Sequence, residues 1–236
     1  MAACAAFVLG LSKAGFKGLG FLVVTLLALA YEAKSSTGIL LPIINMADFF
    51  AIYYYRNDVR WKTIKQLLPW MMIGVIVGVF VGDAISLIVF KKLMAGIILI
   101  SAIMMIIFDR IKSEQIPDNA VFSITMGMGA GFATMIGNLA GAFANLYFLA
   151  LRFPKKKFIG TAAYLFFFIN VFKLPFHIWV WHTISWRSIS ETIFLYPITI
   201  IGFYVGLKLI KYLSNDQFKK YIIAITIIGA IIIFIK

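Results

Sequence analysis

The sequence predicts an all-α integral membrane protein built from two inverted repeats, each a re-entrant broken-helix hairpin followed by three transmembrane helices. The first observation is composition: 63% of the residues are hydrophobic and 13% are charged, whereas about a quarter are charged in an ordinary soluble domain. The second is a pair of long apolar segments, one at the start of each half, that glycine and polar residues interrupt. The third is the uneven division of basic residues among the loops.

Six apolar segments are uninterrupted and are predicted to be helices. They fall at about 36–55, 66–86, 93–108, 158–181, 190–207 and 221–235, and runs of about 18 or more apolar residues are candidates for crossing a membrane. The two interrupted segments cover about 1–31 and 119–151. The single cysteine, Cys4, excludes an intramolecular disulfide framework.

The two halves resemble each other, which indicates an internal duplication. A shift of 125 residues places Asn45 on Asn170 and Trp61 on Trp186. A slightly larger shift places FKKLMAGIILISAIMMIIF on FKKYIIAITIIGAIIIF. The repeats are predicted at 1–110 and 119–236, forming one integrated transmembrane domain.

Loop charges decide between two topologies. If both interrupted segments cross the membrane fully, the loop Lys and Arg divide 8 against 11, which shows no preference. If each enters and leaves on the same side, 14 basic residues share one side and five lie on the other. The positive-inside rule favours the second arrangement and places the 14 in the cytoplasm. Each half then crosses three times, so the repeats are inverted, as in many secondary transporters.

The first interruption reads LGLSKAGFKGLGFLVV, with Lys13 and Lys17 four residues apart and glycines at 15, 18 and 20. A half-helix beginning near Gly18 would present backbone N–H groups and a partial positive charge at mid-depth. Together with Ser12 and the two lysines, these features predict a site for an anion. The alternative, in which the lysines extend to the membrane surface and the glycines serve only helix packing, stays open.

Neutral polar residues mark the second interruption and the middle of two spans. Thr134, Asn138 and Asn145 lie in the second break, where they either complete the site or cap helix ends. Asn45 and Asn170 occupy matching repeat positions near the centres of their helices. We expect Asn45 and Asn170 to line the site, with hydrogen bonding between helices as the alternative.

Asp48 and Lys173 are also equivalent in the repeat. Inversion would displace them in opposite directions by about 4.5 Å each, from three residues at roughly 1.5 Å rise, leaving them too far apart for an ion pair. Asp48 would lie nearer the cytoplasm, as a site for a coupling proton or as a solvated carboxylate. Lys173 is predicted to extend to the outer surface, with a gating role at an electropositive mouth as the alternative.

The histidines and tryptophans between residues 177 and 186 have a structural interpretation, and the sequence contains no motif for a metal, a cofactor or a nucleic acid. His177 and His182, with Trp179, Trp181 and Trp186, resemble an interfacial aromatic belt. No metal site and no cofactor are expected, because no second ligand cluster and no nucleotide-binding or protease motif is present. The net charge of +13 reflects loop lysines and arginines, so a nucleic-acid partner is not predicted.

Stretches along nearly the whole chain resemble the TauE/SafE-like sulfite exporters, a family of small bacterial permeases. GLSKAGFKGLGFLVVTLLALAYEAKSSTGILL is similar to the family's glycine-rich break and the Lys-Ala-x-Gly-Thr-Ser-like stretch after it. NDVRW is similar to its Asp-Trp entry to the next span, and FPKKKFIGTAAYLFFFIN to the second copy, with Gly160 and Thr161 matching the Gly-Thr pair. Lys17 interrupts the usual Gly-Gly-Gly, and SSTG inverts the Gly-Thr order.

The resemblance implies transport of sulfite, organosulfonates or related small anions. Together with the broken repeats, it predicts a secondary transporter in the bacterial inner membrane that works by alternating access, with export favoured. The partners expected are a small anion, the lipid bilayer, and a coupling proton or sodium ion; the sequence indicates no oligomeric state. An anion channel, an uptake permease for another organic anion, and a membrane enzyme or assembly factor remain alternatives, although no positioned acid–base pair supports an enzyme.

The inverted topology predicts that both termini face away from the cytoplasm, because each half crosses the membrane an odd number of times. Cysteines placed beside Met1 and Lys236 are expected to react with a membrane-impermeant maleimide in intact spheroplasts. Labelling of the Lys236 end only after lysis would contradict the inverted topology.

Overall fold

The computed structural model describes residues 1–16, 19–110 and 119–212 together with 214, 217 and 220, and the regular elements within these residues are all helices. Lys17 and Gly18 of the first break lie outside the described residues, as does the helix predicted at 221–235.

The described helices follow the order that the apolar segments predict. They are α1 (Ala2–Ala14), α2 (Gly20–Ala30), α3 (Ala33–Tyr55), α4 (Trp61–Ala84), α5 (Leu87–Arg110), α6 (Ala120–Gly137), α7 (Ala140–Ala150), α8 (Lys155–Pro175), α9 (Trp186–Thr192) and α10 (Leu195–Ile210). A π-helical turn, Phe176–Val180, extends α8. Four of the described helices are long and apolar enough to cross a membrane, namely α3, α4, α6 and α8 with its π turn.

Two boundaries differ from the prediction. The segment expected as one helix at 190–207 is divided between α9, which a capping box of Ser185 and Ser188 starts at Trp186 and which ends at Thr192, and α10, which begins at Leu195. In the second break, α6 has 18 residues and is a candidate span by itself. It is therefore longer than the half-helix expected there, whereas α1 and α2 have 13 and 11 residues.

Both interruptions end a helix with a left-handed residue. Gly15 follows α1 with φ 137°, and Asn138 follows α6 with φ 55°. Glycine, and less readily asparagine, adopts this conformation at low cost and so terminates a helix. The end of α1 is also held by α3, because the Tyr55 hydroxyl donates to the Ala14 carbonyl over 2.7 Å.

The bundle is held together by packing between its two halves. α4 of the first half packs along α6 of the second, and α1 packs along α10, while α3 and α8 contact each other between them. At the α4–α6 crossing, a Cβ on Gly74 would collide with the Met128 backbone, and one on Gly131 with the Met71 backbone. Small residues let the two backbones approach this closely, as at many helix crossings in membranes.

The α1–α10 crossing is built in the same way. A Cβ on Gly10 would collide with the backbone of Thr199, and one on Gly202 with the backbone of Phe7. In both crossings, the first helix of one half packs against a glycine-bearing helix of the other half. Because α1 and α6 each pack on a helix of the opposite half, the two breaks lie within one bundle.

Gly131→Ala is expected to lower the free energy of unfolding by about 1–3 kcal/mol, because the added methyl group must push α4 and α6 apart. Gly96→Ala in α5 is the matched control, since nothing lies within 4 Å of a Cβ there. Alanine is the better helix former by about 1 kcal/mol, so the control should be neutral or stabilising. Thermal unfolding in detergent, followed by tryptophan fluorescence, measures both; equal melting temperatures would contradict the close crossing.

Candidate functional site

A cavity of about 70 Å³ lies between the two helix breaks. This is several times the roughly 10–15 Å³ that one water molecule needs on the same measure. Its polar lining comes from both halves of the chain: Ser12, Lys13, Thr134, Asn138, Asn145 and Asn170. Its apolar lining includes Leu9, Val23, Leu40, Ile44 and Phe166. The cavity therefore combines a cation and neutral polar groups with an apolar wall.

Two helices begin at the cavity wall. α2 starts at Gly20, close to the start predicted near Gly18, and α7 starts at Ala140; both starting residues line the cavity. The N-cap side chains, Leu19 and Leu139, make no hydrogen bond to the first turn. The first N–H groups of a helix lack intrahelical partners and carry about half a positive charge. Two such ends at one cavity favour an anion.

A buried ion pair crosses from the first break to α3. Lys13 Nζ donates to Asp48 Oδ1 over 2.6 Å, and Asn170 Nδ2 donates to Asp48 Oδ2 over 2.8 Å. Asp48 is 0% exposed and Lys13 is 8% exposed. Lys13 therefore does not reach the surface of the protein, and Asp48 is not the solvated carboxylate considered as an alternative. Each oxygen of Asp48 is bound by a different half of the chain.

Lys173 is fully buried, so the prediction that it extends to the surface is wrong. Its Nζ donates to Thr134 O over 2.9 Å, to Thr134 Oγ1 over 3.0 Å and to Asn138 Oδ1 over 2.6 Å. These acceptors lie at the end of α6, where the carbonyl groups carry the negative end of the helix dipole. They match the three protons of an ammonium group.

The equivalent positions 48 and 173 thus have related roles. Asp48 of α3 binds Lys13 at the end of α1, and Lys173 of α8 binds Thr134 and Asn138 at the end of α6. Each of these two side chains binds the end of the helix before the break in its own half. A carboxylate does so in the first half and an amino group in the second. Asp48 and Lys173 bind these separate partners and do not form an ion pair with each other.

The structure brings together most of the residues proposed for the site. Five line the cavity, namely Ser12, Lys13, Thr134, Asn138 and Asn170, and Asp48 and Lys173 bind lining residues directly. Asn45 is not in the lining; its Nδ2 donates to Leu41 O within α3 over 3.0 Å. Lys17 and Gly18 are outside the described residues, so their proposed roles stay predictions.

His177 does not lie in the interfacial belt that the sequence predicts, because it is 0% exposed. Its Nδ1 lies 2.8 Å from Thr183 Oγ1, and its Nε2 has no partner. Trp181 is also buried and its Nε1 donates to Val79 O of α4, whereas Trp179 is 72% exposed as expected for a belt. The π turn after Pro175 rotates the helix face, a change that the hydropathy of the segment does not reveal.

The family model described as "Sulfite exporter TauE/SafE" matches residues 2–233, nearly the whole chain. The chain belongs to this family. The TauE/SafE family comprises membrane transporters, so the apolar helices described above are those of a multi-pass membrane permease, and the resemblance noted in the sequence is confirmed. No curated protein and no solved structure matches the chain.

Asp48→Asn is expected to lower the free energy of unfolding by about 3–5 kcal/mol, because it leaves the Lys13 ammonium buried without its counter-ion. Adding Lys13→Met should recover most of this loss, since the amide oxygen introduced at position 48 would still accept from Asn170. Asp83→Asn is the matched control: it breaks the Lys34–Asp83 pair, in which Asp83 is 59% exposed, and should cost less than about 1 kcal/mol.

Unfolding in detergent by a denaturant series measures the wild type and the three variants. A double variant no more stable than Asp48→Asn would show that the buried pair is not what holds α1 to α3.

Proposed function

We propose that this TauE/SafE-family protein is a secondary transporter that exports a small anion, sulfite or an organosulfonate, across the bacterial inner membrane by alternating access. The observation that carries the proposal is the cavity where Lys13 and the starts of α2 and α7 come together. The family description supports a sulfite-like substrate and the outward direction.

The charge around the cavity supports a monoanion. Lys13 is bonded to the Asp48 carboxylate, and the three oxygen acceptors around Lys173 Nζ match the three protons of an ammonium group, so Lys173 is counted as a second cation. Among the described side chains in this hydrogen-bonded set, one positive charge is left without a countercharge. Buried charges in membrane proteins are costly unless they are paired or functional. A bound monoanion would supply the missing charge, and the two helix starts would stabilise it further.

Asp48 gives the site a means of coupling. The Asp48 carboxylate is bonded to Lys13, so an incoming anion competes with it for the same ammonium group. A proton on Asp48 would remove that competition while its other oxygen still accepts from Asn170. Proton and monoanion would then bind together and cross as an electroneutral pair, and the outward concentration gradient of the anion would drive their export. A sodium ion at Asp48 is the alternative, and replacing sodium in the transport buffer distinguishes the two.

Helix packing supports movement of the halves against each other. The two breaks lie on either side of the cavity, and each first helix, α1 or α6, packs on a helix of the opposite half. Exchanged packing of this kind is expected of two inverted repeats, here 1–110 and 119–236, around a central site. The Asn170–Asp48 hydrogen bond joins α8 to α3 across the halves. Rearrangement there would expose the cavity to one side and then the other.

Lys13→Ala is expected to lower anion flux per folded molecule about ten- to hundredfold, because a charge-assisted hydrogen bond to the substrate is lost. Lys13→Arg should also impair flux, since a planar guanidinium does not replace a compact ammonium in a small cavity. Proteoliposomes loaded with sulfite, sulfate, sulfonates or carboxylates provide the measurement. Saturation and counterflow would distinguish a carrier from a channel.

Lys91→Ala is the matched control, because Lys91 is an exposed lysine of α5 that does not line the cavity. Its flux should equal that of the wild type. Unchanged normalised flux in Lys13→Ala would reject the cavity as the substrate site. The same substitutions at Lys17 test the role that the sequence predicts for that residue.

A further inference from the structure

The cavity contains a buried polar group that has no partner. Asn145 of α7 is 2% exposed and lines the cavity, and its Oδ1 makes no hydrogen bond. Buried amide oxygens are almost always paired, so an unpaired one beside a cavity indicates that a ligand or water completes it. Gly141, one turn earlier on α7, also lines the cavity, and a Cβ there would lie 3.6 Å from Asn145 Nδ2.

The other asparagines of the lining are already engaged with protein groups. Asn138 accepts from Lys173 through Oδ1 and donates to Thr37 O through Nδ2. Asn170 donates to Asp48. Among the side chains of the described lining, Asn145 Oδ1 is the fully buried oxygen that has no hydrogen-bond partner. A carbonyl oxygen is an acceptor only, and it repels an anion unless the anion carries a hydrogen-bond donor.

We propose that Asn145 is a specificity residue that accepts a hydrogen bond from the transported anion. The site would then select a compact monoanion that has its own O–H or N–H group, such as hydrogen sulfite, over dianions and over monoanions without a donor. This inference rests on the proposed anion site. In this arrangement the negative charge of the anion is bound by the positive groups, which are Lys13 and the starts of α2 and α7. Asn145 Oδ1 accepts a hydrogen bond from the O–H or N–H group of the anion.

The discrimination follows from leaving a buried acceptor unpaired. A substrate without a donor would leave the buried Oδ1 unpaired, so its binding lacks the value of one neutral hydrogen bond, about tenfold in affinity. Sites built to bond a substrate O–H or N–H reject analogues that lack the group for this reason. The effect concerns the donor and not the charge, so it separates anions of equal charge and size.

Sulfamate and methanesulfonate form the test pair, because both are compact monoanions near neutral pH and only sulfamate carries N–H donors. Their inhibition of sulfite flux in proteoliposomes is expected to show sulfamate about tenfold stronger on the wild type. Asn145→Leu should weaken sulfamate about tenfold and leave methanesulfonate unchanged, which removes the preference. Hydrogen sulfite and sulfite, compared across a pH series, distinguish an O–H donor from an N–H donor.

Asn45→Leu is the matched control, because Asn45 Oδ1 is also buried without a partner but lies outside the cavity lining. This variant should keep the full preference for sulfamate. Equal inhibition by the two anions on the wild type, or an equal loss of both in Asn145→Leu, would overturn the inference while leaving anion transport intact. The wild-type ratio needs no variant, so poor folding of Asn145→Leu would not prevent the test. Absence of flux for every anion would instead reject the proposed function.

Discussion

The buried pair between Lys13 and Asp48 is the interaction on which the arrangement around the cavity depends. A lysine inside an apolar segment is costly unless a countercharge lies beside it, and Asp48 provides one at 2.6 Å. Because Asp48 belongs to α3 and also accepts from Asn170 of α8, the pair fixes the end of α1 against the two helices in contact between the halves. The pair therefore fixes the end of α1, which Gly15 terminates, beside the cavity.

The pair can form because the surrounding helices approach closely. Gly10 and Gly202 allow α1 to lie against α10, and Gly74 and Gly131 do the same for α4 and α6. These crossings use van der Waals packing, the main attraction between helices in a lipid environment. They bring each break beside the opposite half, so that the side chains of Asp48 and Asn170, 122 positions apart in the chain, become hydrogen-bonded.

The second half reaches a similar arrangement with a different charge. Lys173 replaces the carboxylate of the equivalent position, and neutral oxygens of Thr134 and Asn138 replace the lysine. The pseudo-equivalent contacts thus hold both breaks, but within the described lining only the first half presents a cation to the cavity. Lys13 is paired with Asp48, so the positive charge without a countercharge is that of Lys173, and Asn145 Oδ1 of the second half lies in the lining without a partner.

The helical membrane class, the two breaks and most of the polar residues at them can be predicted from the sequence, because apolar run length, glycine clusters and misplaced charges are local properties of the chain. Which of these residues bind each other depends on the tertiary packing. Their polarity near the end of an apolar segment predicts that Lys173 and His177 lie at the membrane surface. Both are 0% exposed, because neighbouring helices cover that face of the helix. Asn45 and Asn170 match in sequence but differ in role, because a helix's rotation about its axis is set by its packing partners and not by its own residues.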